Sequence, residues 1–133
     1  MKSIVAIALL VICEVAIAGG SRTPSKALVS FAECRRTLPL KTETYVEAKC
    51  AGADPAGLVG SWHKELVESI GYPSWCLIAG QMETDGKKCF GGVHELGYSY
   101  YVMPTNTVGG GPELSITLDK QGQVVQAKWV YSQ

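Results

Sequence analysis

The chain has 133 residues, which is enough for one domain with a hydrophobic core and few enough that covalent cross-links would help to stabilise it. Lysine plus arginine number 12, aspartate plus glutamate also number 12, and the formal net charge is zero. This balance argues against nucleic acid or an acidic membrane surface as the partner.

The N-terminus has the pattern of a secretory signal peptide. Met1-Lys2 precedes an apolar run from Ile4 to Ile12, and Ala16-Ile17-Ala18 matches a cleavage site. A retained membrane anchor is the alternative, but Glu14 interrupts the run, which falls short of the roughly 20 apolar residues that a span needs. We predict a cleaved signal peptide over residues 1–18. The product would be periplasmic or extracellular, with no transmembrane span after cleavage.

The cysteines predict disulfide bonds within a single domain over residues 19–133. Of five cysteines, Cys13 lies in the leader, which leaves Cys34, Cys50, Cys76 and Cys89. An even number in an oxidising compartment favours two bridges, for which three connectivities are possible. Local pairing, Cys34 with Cys50 and Cys76 with Cys89, is favoured because each bridge closes a short loop, and each would contribute roughly 2 to 4 kcal/mol.

No metal or cofactor site is predicted. The chain has no Cys-x-x-Cys pair, and its two histidines, His63 and His94, do not have the spacing of zinc ligands. The run Gly109-Gly110-Gly111 lacks the lysine and the strand-to-helix context of a phosphate-binding loop.

Helices are expected in the first half of the chain. Thr23-Pro24 resembles a helix start, and an apolar stripe of Ala27, Phe31, Cys34 and Leu38 follows before Pro39 ends the helix. A short second helix is predicted from Thr42 to Gly52. A third has Ser61 as N-cap and stops at Gly71, with Val59, Trp62, Leu66 and Ile70 along one stripe.

Strands follow in the second half. Trp75–Ala79 and Tyr98–Met103 are predicted strands from their apolar, aromatic and β-branched content, with a turn at Asp85-Gly86 between them. The stretch Thr105–Pro112 is predicted to be a long loop.

The last two strands form the clearest pattern, a β-hairpin with one apolar face. Apolar and polar residues alternate over Leu114–Leu118 and again over Val125–Tyr131. A two-residue Gln121-Gly122 turn places Leu118 opposite Val125, Ile116 opposite Ala127 and Leu114 opposite Trp129. A three-residue loop would instead place Ile116 opposite Gln126, so the two-residue loop is preferred. The predicted class is α+β, with two or three N-terminal helices packed on one face of a three- to four-stranded antiparallel sheet.

Two segments together resemble a known family. The helix end Glu65-Leu-Val-Glu-Ser-Ile-Gly-Tyr-Pro73, an aromatic strand and the run Leu-Ser-Ile-Thr-Leu-Asp-Lys-Gln-Gly-Gln-Val-Val are similar to the BamE (SmpA/OmlA) small envelope proteins and to β-lactamase inhibitor protein modules, over roughly residues 42–131. The resemblance implies a helix-helix-sheet layout, a periplasmic or extracellular setting and binding of other proteins. The chain departs from the family in having no lipoprotein cysteine at the leader junction, so membrane anchoring is not carried over.

A non-enzymatic protein-binding module is therefore the expected function, as an envelope adaptor or as an inhibitor of a secreted enzyme. Its predicted contact patch is aromatic: Trp75, Tyr98, Tyr100 and Tyr101. Strand alternation sends Tyr101 to the face opposite Tyr98 and Tyr100, so all three cannot point inward. The competing interpretation is that one face packs on helices and the other tyrosine covers a sheet edge.

Two other functions remain open. A small secreted hydrolase would need His63 or His94 with a serine such as Ser61, Ser69 or Ser99, none of which stands in a nucleophile motif. A small-ligand or lipid carrier would use a trough between the helices and the sheet.

Overall fold

The structure is a computed structural model that describes residues 23–133. The predicted signal peptide, residues 1–18, lies outside the described residues. The described part contains two α-helices and seven β-strands, which form one five-stranded and one two-stranded sheet. The α+β class is confirmed, and the sheet is larger than predicted.

The first helix, α1, spans Lys26–Arg36 and begins two residues later than Thr23-Pro24 predicts. Ser25 caps it, because the Ser25 hydroxyl accepts a hydrogen bond of 3.2 Å from the Leu28 backbone N–H. Its buried stripe includes Leu28 and Phe31, which have no exposed surface. The helix ends where the Thr37 hydroxyl donates to the Cys34 carbonyl over 2.7 Å.

The predicted helix from Thr42 to Gly52 is wrong. This segment is extended, and its centre forms strand β1, Val46–Glu47, which pairs antiparallel with β5, Tyr101–Val102. The sequence Thr-Glu-Thr-Tyr-Val is rich in β-branched and aromatic residues, which lose side-chain freedom in a helix. Pairing with β5 satisfies backbone groups that a marginal helix would have satisfied internally.

The second helix, α2, spans His63–Ser69 and begins two residues after the predicted cap. Trp62 holds the cap position, and its backbone N–H donates to the Glu65 carboxylate over 3.0 Å. Ser61 instead accepts a backbone hydrogen bond of 2.8 Å from Val124. Val59, predicted to lie on the apolar stripe, is exposed beyond the short 3-10 helix Pro55–Leu58.

The five-stranded sheet is antiparallel throughout and has the order β3-β2-β4-β6-β7. Its strands are β2 (Trp75–Ile78), β3 (Gln81–Glu83), β4 (Val93–Ser99), β6 (Pro112–Leu118) and β7 (Val124–Tyr131).

Two boundaries in this sheet differ from the sequence prediction. Strand β3 was not predicted; it follows a tight turn in which Ala79 and Gly80 both have positive φ, 52° and 79°. The predicted strand Tyr98–Met103 is divided, because Tyr98 and Ser99 end β4 whereas Tyr101 and Val102 join the smaller sheet.

The C-terminal hairpin reaches the predicted register by a different route. Its loop has three residues and not two. The Asp119 N–H donates to the Gln123 carbonyl over 2.9 Å, and this hydrogen bond encloses Lys120, Gln121 and Gly122. Gly122 takes a positive φ of 87°, as such a loop requires. The strand then gains one bulged residue, so that Leu118 opposes Val124 whereas Thr117 opposes Gln126.

This bulge changes one predicted pair and preserves the other two. Val125, expected opposite Leu118, is the inserted residue and is exposed, and Val124 is buried in its place. Ile116 still opposes Ala127, and Leu114 still opposes Trp129. A three-residue loop alone shifts the register by one residue, and the bulge shifts it back.

The inner face of the sheet packs against α1 through a cluster of three aromatic rings. The Phe31 ring lies 6.0 Å from the Tyr100 ring and 5.6 Å from the Trp129 ring, and the rings of Tyr100 and Trp129 meet edge to face at 5.2 Å. Such pairs contribute about 0.5 to 1.5 kcal/mol beyond the burial of their area. The cluster joins α1 to Tyr100, the residue between β4 and β5, and to β7.

Replacement of Trp129 by alanine should lower the free energy of unfolding by about 2 to 3 kcal/mol, below the roughly 3 to 5 kcal/mol for a fully buried aromatic residue. The reduction follows because the side chain is 37% exposed although it contacts Phe31 and Tyr100. Urea denaturation measures this change. The matched control, Lys128→Ala, lies on the exposed face next to it and should change the unfolding free energy by less than about 0.5 kcal/mol. Equal effects of the two substitutions would contradict the packing described.

Candidate functional site

Two residues of the predicted aromatic patch belong to the core. Tyr98 and Tyr100 have no exposed surface, and their hydroxyls donate to the carbonyls of Gly71 and Phe31 over 2.8 and 3.0 Å. Burial raises the pKa of both hydroxyls, and the Arg35 guanidinium, 5.0 Å from the Tyr98 ring centre, acts in the opposite direction. Both were predicted as contact residues, and this is wrong because α1 covers the face they share.

Trp75 lies on the outer face of the sheet, but its ring is held against the sheet. It rests over Gly97, where an added Cβ would come within 2.3 Å of the indole. The indole N–H donates to the Glu113 carboxylate over 3.0 Å, and the Ser99 hydroxyl donates to the same oxygen over 3.2 Å. The polar atom of Trp75 is therefore already paired within the molecule.

The remaining predicted residue, Tyr101, is half-buried and belongs to a surface group that we call the tyrosine patch: Tyr45, Glu47, Tyr101 and Tyr131. The Tyr45 and Tyr101 rings stack with centroids 6.1 Å apart. One carboxylate oxygen of Glu47 accepts from the hydroxyls of Tyr45 and Tyr131, over 2.8 and 3.1 Å. Tyr45 is 39% exposed and Tyr131 is 67% exposed.

Three distant parts of the chain build this patch. Tyr45 and Glu47 come from the β1 segment, which the bridge Cys34–Cys50 attaches to α1. Tyr101 comes from β5, and its hydroxyl lies 3.2 Å from the Ser132 hydroxyl at the end of β7. Gly111 makes the close approach feasible, since a Cβ there would lie 2.4 Å from the Tyr45 hydroxyl oxygen and 2.7 Å from the Tyr101 ring.

Glu47 holds the patch together electrostatically. Partial burial raises the pKa of the Tyr45 hydroxyl, and so do its hydrogen bond to Glu47 and the proximity of Tyr131. The Tyr45 hydroxyl is therefore a neutral donor near neutral pH, and the acceptor that Tyr45 and Tyr131 share restricts the rotation of both rings.

The second surface feature is a cleft of about 800 Å³ that brings both histidines of the chain together. The start of α2 contributes Trp62, His63 and Lys64, the approach to β4 contributes Gly91 through His94, and the β6–β7 hairpin contributes Leu118 through Gly122. The one carboxylate in this lining, that of Asp119, accepts hydrogen bonds of 2.9 Å from the N–H groups of Gln121 and Gln123. Lys64 and Lys120 leave the lining with a positive balance, and Lys64 also pairs with the Glu68 carboxylate outside the lining over 3.8 Å.

His63 is partly buried at the edge of this cleft. Burial lowers the pKa of its imidazole, and the Nε2 atom has no hydrogen-bond partner among the described residues. The serines that the hydrolase hypothesis names lie elsewhere: none of Ser61, Ser69 and Ser99 lines the cleft. No serine, threonine or cysteine occurs among the described residues of its lining.

Cys34, Cys50, Cys76 and Cys89 form two bridges, Cys34–Cys50 and Cys76–Cys89, which are the pairs that local pairing favours. Within residues 23–133, no group of three or more His, Cys, Asp or Glu side chains is placed to hold a metal ion. None of the helices described in that range has the length and apolarity needed to cross a membrane.

Sequence reasoning missed Tyr45, Glu47 and Tyr131 as members of one site. The alternation Tyr45-Val46-Glu47 was a usable signal, because in a strand it places an aromatic ring and a carboxylate on the same face. The helix predicted for this segment concealed that alternation.

Comparison of the chain with family models, characterised proteins and solved structures finds no match. The resemblance of residues 42–131 to the BamE and β-lactamase inhibitor protein modules thus stays a prediction.

Acidification should destabilise the protein through His63. A lowered pKa in the folded state means that, as pH falls below about 6.5, the unfolded chain binds a proton at His63 before the folded protein does. The free energy of unfolding should therefore fall as pH decreases through this range and level off below the folded-state pKa. Urea denaturation of wild type and His63→Gln between pH 8 and pH 5 measures the slope.

The variant should lose part of that pH dependence. His94→Gln is the control, because it removes the exposed histidine of the same cleft and leaves His63 in place. An unchanged slope in His63→Gln would contradict the role assigned to burial.

Proposed function

We propose that the protein is an exported, non-catalytic binding module for another protein, an envelope adaptor or an inhibitor of a secreted enzyme, and that the tyrosine patch is its recognition surface. The observation that carries the proposal is the pair of exposed tyrosines, Tyr45 and Tyr131, held by the single carboxylate of Glu47.

The tyrosine patch offers aromatic surface whose side chains are already restricted, and such surface favours binding. Tyrosine is enriched at binding hot spots because it combines a large apolar ring with a polar tip and has few rotatable bonds. The stack on Tyr101 and the bonds to Glu47 restrict these rings before any partner arrives. Less conformational entropy is then lost on association, which favours affinity.

Export is supported by two features. The N-terminal pattern is that of a signal peptide, and two disulfides in a small domain are typical of oxidising compartments. The resemblance to BamE-like envelope proteins and β-lactamase inhibitor modules points to the same setting and to protein binding, on the segments quoted above.

The proposal is tested by placing a photo-crosslinking phenylalanine derivative at position 131 in the cell that produces the protein. We expect a defined adduct with one partner protein from position 131. The matched control is position 72, because Tyr72 is 55% exposed and lies outside the patch. The proposal would be contradicted if position 131 gave no adduct, or if positions 131 and 72 gave the same adducts.

The isolated complex then permits a quantitative test. Tyr131→Ser should weaken binding by about 30-fold, the equivalent of a hot spot of about 2 kcal/mol, whereas Tyr72→Ser should leave it unchanged. Glu47→Gln should have an intermediate effect, because it keeps the ring contacts and weakens the bonds that orient them.

The histidine cleft favours a second candidate function, the binding of a small anionic ligand. Its lining combines an indole, two imidazoles and two lysines, while its one carboxylate is already engaged with backbone N–H groups. This composition suits a planar molecule with a carboxylate or phosphate group, which would place its ring on Trp62 and its charge near Lys64 or Lys120.

Titration with benzoate and with inorganic phosphate, followed by amide chemical shifts, tests this candidate. We expect saturable shifts concentrated at Gly91, Gly92 and Gly122, and their loss in Lys120→Gln. Lys26→Gln is the control, because Lys26 begins α1 and does not line the cleft. Shifts spread over all lysine-rich surfaces, or none up to millimolar concentration, would remove this candidate.

A further inference from the structure

One edge of the five-stranded sheet is protected and the other is not. The edge strand β3 has only three residues, Gln81–Glu83. The opposite edge strand, β7, has eight residues and carries a single charge, that of Lys128. A long edge strand with little charge is a template for pairing with another strand.

The hydrogen bonds show which groups of β7 are free. The Ser132 N–H donates to the Gly111 carbonyl over 3.0 Å, so by alternation Gln126, Lys128 and Val130 direct their backbone groups towards β6. The backbone groups of Ala127, Trp129 and Tyr131 point to the opposite side. Within residues 23–133, no hydrogen bond to these outward groups is present.

The beginning of β7 is different, because its edge is already occupied. Val124 donates to the Ser61 carbonyl over 2.8 Å, and its own carbonyl accepts from Gly60 over 2.9 Å. The free edge therefore starts only after the bulge at Val125.

We propose that a second copy of this chain pairs with β7 in antiparallel fashion, with Trp129 of each copy at the two-fold axis. This register opposes Ala127 to Tyr131 and Lys128 to Val130 of the other copy, and it makes about six new backbone hydrogen bonds. This register pairs the outward backbone groups of Ala127, Trp129 and Tyr131, and the paired segment begins no earlier in β7 than Gln126.

Neighbouring registers are worse for specific reasons. An axis at Lys128 would place the two lysines directly opposite each other, which is destabilising. An axis at Ala127 would oppose Val130 to Val124, whose edge is already bonded to Gly60 and Ser61. With the axis at Trp129, the small Ala127 side chain faces the large Tyr131 ring, and no like charges meet.

This inference goes beyond the proposed function and shares one residue with it, because Tyr131 of the tyrosine patch would face Ala127 of the other copy. The tyrosine patch requires the side chain of Tyr131, whereas self-pairing requires the backbone edge of β7. A failure of one therefore leaves the other standing.

Charge substitutions at Val130 test the register, because this residue would face Lys128 of the other copy. Sedimentation of the full protein over a range of concentrations should show a reversible monomer–dimer equilibrium. Val130→Glu should tighten the dimer and Val130→Lys should weaken it, each by about 2- to 30-fold for the two symmetric pairs. Within one copy Val130 opposes Glu113, so the effects on monomer stability should run in the opposite direction.

Three further variants complete the test. Ala127→Pro removes an outward N–H without removing a bond to β6, and it should abolish the dimer while the circular dichroism spectrum is retained. Met82→Glu and Met82→Lys, on the other edge strand, are the controls and should not change the dimer constant. A protein that stays monomeric to millimolar concentration would overturn the proposal, and so would a dimer insensitive to Ala127→Pro or tightened equally by both Val130 variants.

Discussion

One extra residue in β7, Val125, keeps the apolar side chains of the C-terminal hairpin on a single face of the sheet. The three-residue loop at Lys120–Gly122 would otherwise turn Trp129 and Ala127 towards the outer face. With the bulge in place, Trp129 meets Phe31 and Tyr100, and α1 is held on the inner face. The same shift decides which backbone groups of β7 point outward.

The second constraint is covalent and acts on a segment that has little structure of its own. Strand β1 has two residues, and the chain around it contributes few core side chains. The bridge Cys34–Cys50 attaches this segment to the buried stripe of α1. The Ala48 N–H donates to the Tyr100 carbonyl over 2.9 Å, and this hydrogen bond fixes the position of the segment next to β5. Tyr45 and Glu47 are thereby positioned without a helix beneath them.

Much of this architecture could be predicted from local patterns. Period-2 alternation identified the faces of Leu114–Leu118 and of Ala127 and Trp129, and short loops between cysteines favoured the two bridges observed. The sequence pattern could not distinguish a two-residue loop from a three-residue loop followed by a bulge. The register shifts of the three-residue loop and the bulge cancel, so both arrangements place the same residues opposite each other beyond the bulge.

The site was harder to predict than the sheet. An aromatic strand signals either core or contact surface, and which applies to Tyr98 and Tyr100 depends on where α1 packs, a non-local fact. The tyrosine patch depends on contacts between residues as far apart as Glu47 and Tyr131, and single-segment patterns carry no information about such pairs.

The placement of the two bridges has a consequence for redox sensitivity. Cys34–Cys50 supports the segment that bears Tyr45 and Glu47, whereas Cys76–Cys89 braces β2 at the far side of the sheet. Reduction of the first bridge would release half of the tyrosine patch from α1, while the aromatic contacts between helix and sheet contain no sulfur. Reduction of Cys34–Cys50 would thus loosen the tyrosine patch while the rings of Phe31, Tyr100 and Trp129 still hold α1 on the sheet.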